Sequence, residues 1–232
     1  MAAPTVFLFD IDGTLISTGG AGRRAMASAF GAVCDAPHAL KGVKLGGMTD
    51  RLILRAGFEA IGRTFSETLF TSVMDEYLQH LTHEVKTSEG YIVYEGVHEA
   101  VEACRAISGS ATGLGTGNIE AGARIKLQRS GLDQHFAFGG FGSDAEDRAE
   151  LIEAGARRGA DALGVARNGV RVVVIGDTPR DVHAAHAIGA RCICVATGGF
   201  TFEELEAASA DAVFHTLAAP GAVDAITAAS VS

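Results

Sequence analysis

Short apolar runs that stop on polar turns recur along this chain, separated by stretches of helical spacing. The first is Val6-Phe7-Leu8-Phe9. It is too short for a helix stripe and has no polar alternation, which is how a strand buried on both faces of a parallel sheet reads. Gly22 to Val33, Met48 to Ile61 and Phe65 to Val85 then read as three helices. Thr49 or Asp50 stands near the start of the second. In the third, Leu69, Val73, Tyr77 and Leu81 follow helical spacing. Ile16 to Gly20 reads as a loop with hinge-like glycines, and no strand is expected between residue 17 and about residue 90.

From Tyr91 the pattern changes. Helices are expected over Glu95 to Ile107 and Ile119 to Ser130, with a glycine-rich strand from Ser110 to Gly115 between them. Phe136 to Gly139 reads as another short strand. Ser143-Asp144-Ala145-Glu146 has the spacing of a capping box, so a helix is expected from there to about Leu163. Arg171 to Ile175, with three consecutive valines, is the strongest strand of the second half. A helix through Ile188, a strand from Arg191 to Val195, a helix capped at Thr201-Phe202-Glu203-Glu204 and a strand from Asp211 to Phe214 follow. The tail from Ala228 to Ser232 is expected to fray. Alternating strands and helices predict an α/β fold, a parallel Rossmann-like sheet with helices on both faces. An all-helical cap, residues 17–92, is expected as an insertion into a core of residues 1–16 and 93–232.

At 232 residues and 47% hydrophobic, the chain has ample material for a core, and disorder is not indicated. The net charge of −9 argues against nucleic acid and anionic membranes as partners. An anionic substrate is still permitted, because a metal and a few local cations reverse the potential within one cleft. The start of the chain shows no basic segment or cleavage site, and no apolar run reaches membrane-spanning length. With four scattered cysteines, a reduced, cytoplasmic protein is the simplest expectation. Cys192 and Cys194 share one face of a strand and read as core filler rather than a zinc site.

The chemistry gathers where strands end. The first strand runs into Asp10-Ile11-Asp12-Gly13, and the valine-rich strand into Gly176-Asp177-Thr178-Pro179-Arg180-Asp181. Strands of a parallel sheet end on one edge, where open α/β folds bind ligands. One acidic turn is only turn chemistry; two at equivalent ends, with Thr116 after a third strand, form a constellation. Neighbouring carboxylates repel unless a cation intervenes, and Mg²⁺ suits carboxylate oxygens together with phosphate. A helix-loop-helix calcium site does not fit, since its sixth and twelfth positions would be Leu15 and Ala21.

Asp10 to Leu15, Thr116 and Gly176 to Asp181 match, in order and spacing, three motifs of the haloacid dehalogenase superfamily, and the chain resembles its phosphoglycolate-phosphatase-like branch. The resemblance implies a phosphatase acting on a small phosphomonoester through an aspartyl-phosphate. Asp10 would be the nucleophile and Asp12 the general acid and base. Thr116, with Gly117 and Asn118, would hold the phosphoryl group. Asp10, the Asp12 carbonyl, Asp177 and Asp181 would form the Mg²⁺ site, Asp181 either through a water or by holding a cationic side chain. The lysine of the family's third motif is missing; the region reads Glu146-Asp147-Arg148-Ala149. Arg148 is preferred for that role over Lys126, whose helix is expected to run away from the strand ends and carry it about 10 Å from the helix start. The same family contains phosphomutases, and a non-catalytic phosphate-binding domain is a further alternative. A dehalogenase is disfavoured by Asp12. A monomer or homodimer is expected.

Other candidates carry less. Gly113 to Asn118 lacks the third glycine of a dinucleotide loop. His80/His83 and His183/His186 read as ordinary helix residues. Among the basic residues of the early cap, one of Arg23 and Arg24 is expected to face the cleft.

Overall fold

The computed structural model describes residues 3–229. Strand β1 (Thr5–Phe9) lies at the centre of a six-stranded sheet. After a short turn comes β2 (Ile16–Thr18), then three helices, α1 (Ala21–Cys34), α2 (Asp50–Ala60) and α3 (Glu67–Thr87). The chain returns through β3 (Tyr91–Val93), which pairs antiparallel with β2, Ile16 opposite Val93 and Thr18 opposite Tyr91. This two-stranded ribbon corrects the expectation of a loop with no strand in that region. Each strand has three residues, too few to display a period, and pairing rather than propensity makes them strands.

The remaining elements are α4 (Val97–Ala106), β4 (Ser110–Thr116), α5 (Glu120–Gln128), β5 (Gly139–Phe141), α6 (Arg148–Ala162), β6 (Arg171–Gly176), α7 (Pro179–Ala187), β7 (Arg191–Val195), α8 (Phe202–Ala207), β8 (Ala212–Phe214) and α9 (Ala222–Ala228). The sheet is parallel throughout, in the order β5-β4-β1-β6-β7-β8. The chain winds outward from β1 to β4 and β5, then crosses back to β6 on the other side. The crevice at the carboxyl end of β1 is therefore a topological switch point, the usual ligand site of an open α/β sheet. The tail expected to fray includes Ala228, which closes α9; residues 230–232 lie outside the described residues.

Three apolar cores follow from this layout. One face of the sheet packs Phe7, Phe9 and Ile175 against α4, α5 and α9. The other packs Val6, Leu8 and Val174 against α6, α7 and α8. The third belongs to the helical insert, where Phe30, Phe58, Leu54 and Leu81 are fully buried.

Two boundaries differ from expectation. The strand expected at Phe136 to Gly139 is found at Gly139–Phe141. Phe136 instead follows a 3-10 turn and packs its ring 6.0 Å from that of Phe9. Glycine hides the true strand from propensity, but the close approach of α6 requires it: a Cβ on Gly140 would lie 1.8 Å from the Leu151 carbonyl. The helix expected from Ser143 begins at Arg148. Its cap is Asp147, whose Oδ1 accepts from the amides of Ala149 and Glu150 at 2.8 and 3.2 Å. Ser143 accepts from Glu120 N, and Glu146 pairs with Arg51 and Arg55 of α2. The apparent capping box is thus spent on tertiary contacts.

Candidate active site

The register fixes the acidic cluster. Phe9 lies opposite Ile175, and Asp10 N donates to the Ile175 carbonyl at 2.8 Å, so Asp10 and Asp177 leave adjacent strands side by side. Asp181 comes from the first turn of α7. Thr178 caps that helix, and Asp181 Oδ2 accepts from Thr178 N at 3.0 Å and Thr178 Oγ1 at 2.7 Å, a reciprocal capping box that fixes its rotamer. Asp10, Asp177 and Asp181 are all buried, and each presents an oxygen within 4.8 Å of the others. Gly13, at φ +90°, passes so close to Asp177 that any side chain there would collide with the carboxylate.

Burial pushes the Asp10 carboxyl up to about 6; Arg148 opposes the shift, and Asp181 and Asp12 add to it. Burial likewise pushes Asp177 well up, reinforced by the negative charges of Asp10 and Asp181. Crowded, buried oxygen ligands with no charge balance of their own suit a hard cation such as Mg²⁺. Arg148, the first residue of α6, supplies part of the balance. Its Nε donates to Asp181 Oδ1 at 2.8 Å, and its Nη2 lies 2.5 Å from that oxygen and 3.2 Å from Asp10 Oδ1. Burial works against its charge, but Asp181 and Asp10 outweigh it and hold its ionisation above the ordinary range. Nη2 is buried and makes no well-aligned hydrogen bond, which leaves a donor beside the nucleophile candidate.

A second cluster surrounds Asp12. Its Oδ2 accepts from Lys126 Nζ at 2.6 Å and from Asn118 Nδ2 at 2.9 Å. Asn118 Nδ2 also donates to Thr116 Oγ1 at 2.8 Å, and Asn118 Oδ1 accepts from Lys126 at 2.6 Å. Burial opposes the charge of Lys126, but Asp12, Tyr77 and Asp50 outweigh it and raise its ionisation. The expectation that Lys126 stands away from the strand ends is corrected. It does lie six residues into α5, but helical side chains lean toward the helix N-terminus, and a long lysine recovers the distance. Arg148 and Lys126 both enter the site, one at Asp10 and one at Asp12. The Asp12 carboxylate itself lies outside the trio of candidate metal ligands.

The insert supplies the rest of the wall. A cleft of about 230 Å³ is lined by Asp10, Asp12, Thr116, Gly117, Asn118, Lys126, Arg148 and Asp177 from the sheet side, and by Arg23, Asp50 and Tyr77 from the insert. Asp50 clasps the two sides: its amide donates to the Gly117 carbonyl and its Oδ2 accepts from Ile119 N, both at 2.8 Å. Burial pushes its carboxyl up to about 6, against the pull of Lys126. Sequence reasoning named neither Asp50 nor Tyr77 as a site residue. The one available signal was a carboxylate at the start of α2. Arg23, not Arg24, faces the cleft, and its guanidinium donates to the carbonyls of Leu40 and Val43. Arg24 pairs with Glu84. His183 and His186 stay outside the cleft, the latter 3.1 Å from Asp211. All four cysteines are free and buried. No described helix is long and apolar enough to cross a membrane.

Solved structures with this fold include CbbY from Rhodobacter sphaeroides in complex with phosphate, at TM-score 0.67 and 20% identity over 98% of this chain and 100% of that one. A hydrolase from Pseudomonas syringae matches at TM-score 0.66 and 23% identity, covering 92% and 94%. A predicted phosphoglycolate phosphatase from Haemophilus somnus matches at TM-score 0.65 and 19% identity, covering 93% and 95%. No curated protein is significantly similar in sequence. A family model for haloacid dehalogenase-like hydrolases matches residues 4–189, and to that family this chain belongs.

Proposed function

We propose that the protein is a Mg²⁺-dependent phosphatase that hydrolyses a small phosphomonoester through an aspartyl-phosphate on Asp10. One observation carries the reading. Asp10 lies 3.2 Å from the Arg148 guanidinium and within 4.8 Å of Asp177 and Asp181 carboxylate oxygens, and it opens on a cleft that Asp12 and Thr116 also line. Phosphoglycolate is one candidate substrate, suggested by the branch the sequence resembles.

Asp10 forms a bond to phosphorus as the bond to the ester oxygen breaks, dividing one hard displacement into two. Asp12 gives its proton to the departing alcohol oxygen. It then takes one from the water that displaces Asp10 and releases inorganic phosphate. Lys126 and Asn118 occupy Asp12 Oδ2, so Oδ1 is the oxygen left for both transfers. Thr116 Oγ1 accepts from Asn118, which leaves its hydrogen for a phosphoryl oxygen. Gly117 and Asn118 form the same wall. Arg148 offsets negative charge on the transferring group. Asp10, Asp177 and Asp181, with the Asp12 carbonyl, would hold Mg²⁺, which supplies further charge neutralisation there.

We take residues 17–92 as a cap on a core of residues 1–16 and 93–232, joined through β2 and β3 and closing over bound substrate. Release of inorganic phosphate from a panel of small phosphomonoesters, with Mg²⁺ and then with a chelator, tests the function. Rapid-quench trapping of a phosphorylated protein tests the intermediate. A pure, folded protein that releases no phosphate from any of them with Mg²⁺ would end this reading.

A further inference from the structure

The phosphatase reading leaves two buried polar groups of the cleft unused, Asp50 and Tyr77. Both belong to the insert and both line the cleft. Tyr77 is 1% exposed, yet its hydroxyl forms no hydrogen bond among the described residues. Asp50 is 4% exposed; Oδ2 is bound to the Ile119 amide, while Oδ1 has no partner among those residues. The sealed side-chain atoms without a partner among the described residues are Thr112 Oγ1 and Arg148 Nη2, so Tyr77 Oη and Asp50 Oδ1 are not sealed but open on the cleft, where a ligand can meet them.

A third observation marks where such a partner would sit. Gly22 of α1 carries no side chain, and a Cβ added to it would lie 3.4 Å from Lys126 Nζ and 3.9 Å from Tyr77 Oη. The ammonium and the phenol therefore border one small space that the protein leaves unfilled. Lys126 spends two of its three donors on Asp12 and Asn118, so one remains. The open set thus comprises a carboxylate oxygen, a phenolic hydroxyl and one ammonium hydrogen. An alcohol hydroxyl, which both donates and accepts, satisfies that set.

Charge selects in the same direction. Asp10, Asp12, Asp50 and Asp177 line the cleft, with Asp181 behind Arg148; against these five carboxylates stand Arg23, Lys126 and Arg148. One divalent cation would balance them, and the phosphoryl group then adds its own negative charge. The single cation on the insert wall, Arg23, has its guanidinium on two backbone carbonyls. A second anionic group set against Tyr77 and Lys126 would sit beside the Asp50 carboxylate, while Arg23, which pairs with no carboxylate among the described residues, is held at the carbonyls of Leu40 and Val43. We propose that Asp50 and Tyr77 are specificity-determining residues that select phosphomonoesters whose alcohol portion carries hydroxyl groups and no anionic group. The inference rests on the phosphatase reading for its substrate class and disfavours carboxylate-bearing substrates such as phosphoglycolate.

The test uses three compounds of nearly equal size: 2-hydroxyethyl phosphate, phosphoglycolate, in which a carboxylate replaces the CH₂OH group, and ethyl phosphate. Calorimetric dissociation constants are measured without Mg²⁺ on the full chain carrying Asp10→Asn, which lacks the nucleophile and so holds ligands without turning them over. 2-Hydroxyethyl phosphate is expected to bind at least tenfold tighter than phosphoglycolate. Adding Asp50→Asn, which keeps an oxygen for the Ile119 amide, is expected to shrink that ratio to threefold or less. Adding Tyr77→Phe is expected to weaken 2-hydroxyethyl phosphate several-fold and to leave ethyl phosphate unchanged. Equal or tighter binding of phosphoglycolate, or a ratio that Asp50→Asn does not move, overturns the proposal. Wild-type phosphate release, measured in parallel, reports on the phosphatase reading separately. Turnover with the wrong preference sinks only the selectivity, and the right preference without turnover sinks only the hydrolysis.

Discussion

The two ends of the cleft are built in different ways. At one end, Asp10, Asp177 and Asp181 hang from the ends of adjacent parallel strands or from the first turn after one, and Arg148 opens the helix that faces them. Strand register and the first turns of two helices bring these groups together. At the other end, Asp12 is held by Lys126 from the last turn of α5 and by Asn118, with Asp50 and Tyr77 arriving from the insert. Packing of α5, α2 and α3 around the strand ends assembles that end. The first end is held rigid by strand register and capped helix starts and meets the insert where Arg148 Nη1 donates to the Gly47 carbonyl at 3.4 Å, whereas the second takes Asp50 and Tyr77 from the insert. The proposed nucleophile therefore belongs to the rigid end, and the proposed acid–base to the assembled one.

The largest effect should fall on the rigid end. Asp10→Asn is expected to lower turnover by on the order of 10⁴-fold or more, with the circular dichroism spectrum unchanged, because the amide is a poor nucleophile and a poor cation ligand. Near-wild-type phosphate release from pure variant would break the assignment. Arg148→Ala is expected next, at on the order of 10²- to 10³-fold in kcat. It removes the charge beside Asp10 and strands Asp181, which is fully buried. A loss confined to KM would place Arg148 in substrate capture alone.

What could be read from the sequence follows the same division. β1, β6 and the aspartates after them were legible because runs as short and as β-branched or aromatic as three consecutive valines or Val-Phe-Leu-Phe favour buried strands over helices, and the acids follow directly. β2 and β3 were not, since three residues show no period. β5 was masked by the glycines that let α6 approach. The start of α6 was misplaced because two sets of residues have capping spacing. Asp147 with Glu150 is the pair at the helix start, while Ser143 and Glu146 serve α5 and α2. That correction moves Arg148 to the helix N-terminus. Asp50, Tyr77 and Lys126 were illegible as a group, since their proximity depends on how α2, α3 and α5 pack, not on any spacing between them.

The assembled end gives a smaller effect. Lys126 donates to both Asp12 and Asn118, so its loss frees the Asp12 carboxylate to turn. Lys126→Ala is expected to lower kcat about 10- to 100-fold, the range in which a misplaced catalytic group costs rate without abolishing it. A lysine that merely covered apolar surface would leave kcat in place. Lys126→Arg should recover part of the loss. A Lys126→Ala enzyme with unchanged kcat would show that the Asp12 end tolerates disorder, and the contrast between the two ends would collapse.

The smallest effect is one of stability, and it has a sign that pH reveals. Asp50 faces Lys126 of α5, Tyr77 of α3 and, further off, Asp12, and burial raises its carboxyl from 3.8 to about 6 despite the pull of Lys126. A raised carboxyl binds its proton more tightly in the folded chain than in the unfolded one. The fold therefore loses stability as pH rises from about 4 to about 6, and above that range the cost of burying the charged form is complete. Asp50→Asn removes the charge while its side-chain oxygen still serves the Ile119 amide. The variant is expected to be more stable than wild type by on the order of 1 to 3 kcal/mol at pH 7.5, since a tenfold change in proton affinity is worth about 1.4 kcal/mol. The advantage should vanish below pH 4, where both forms are neutral. Urea denaturation of chelator-treated protein at pH 3.5, 5 and 7.5 measures it. Equal stability at pH 7.5, or a variant weaker there than wild type, would show that the Lys126 attraction outweighs burial; Asp50 would then be a net stabilising clasp rather than a charge kept at a cost for the substrate.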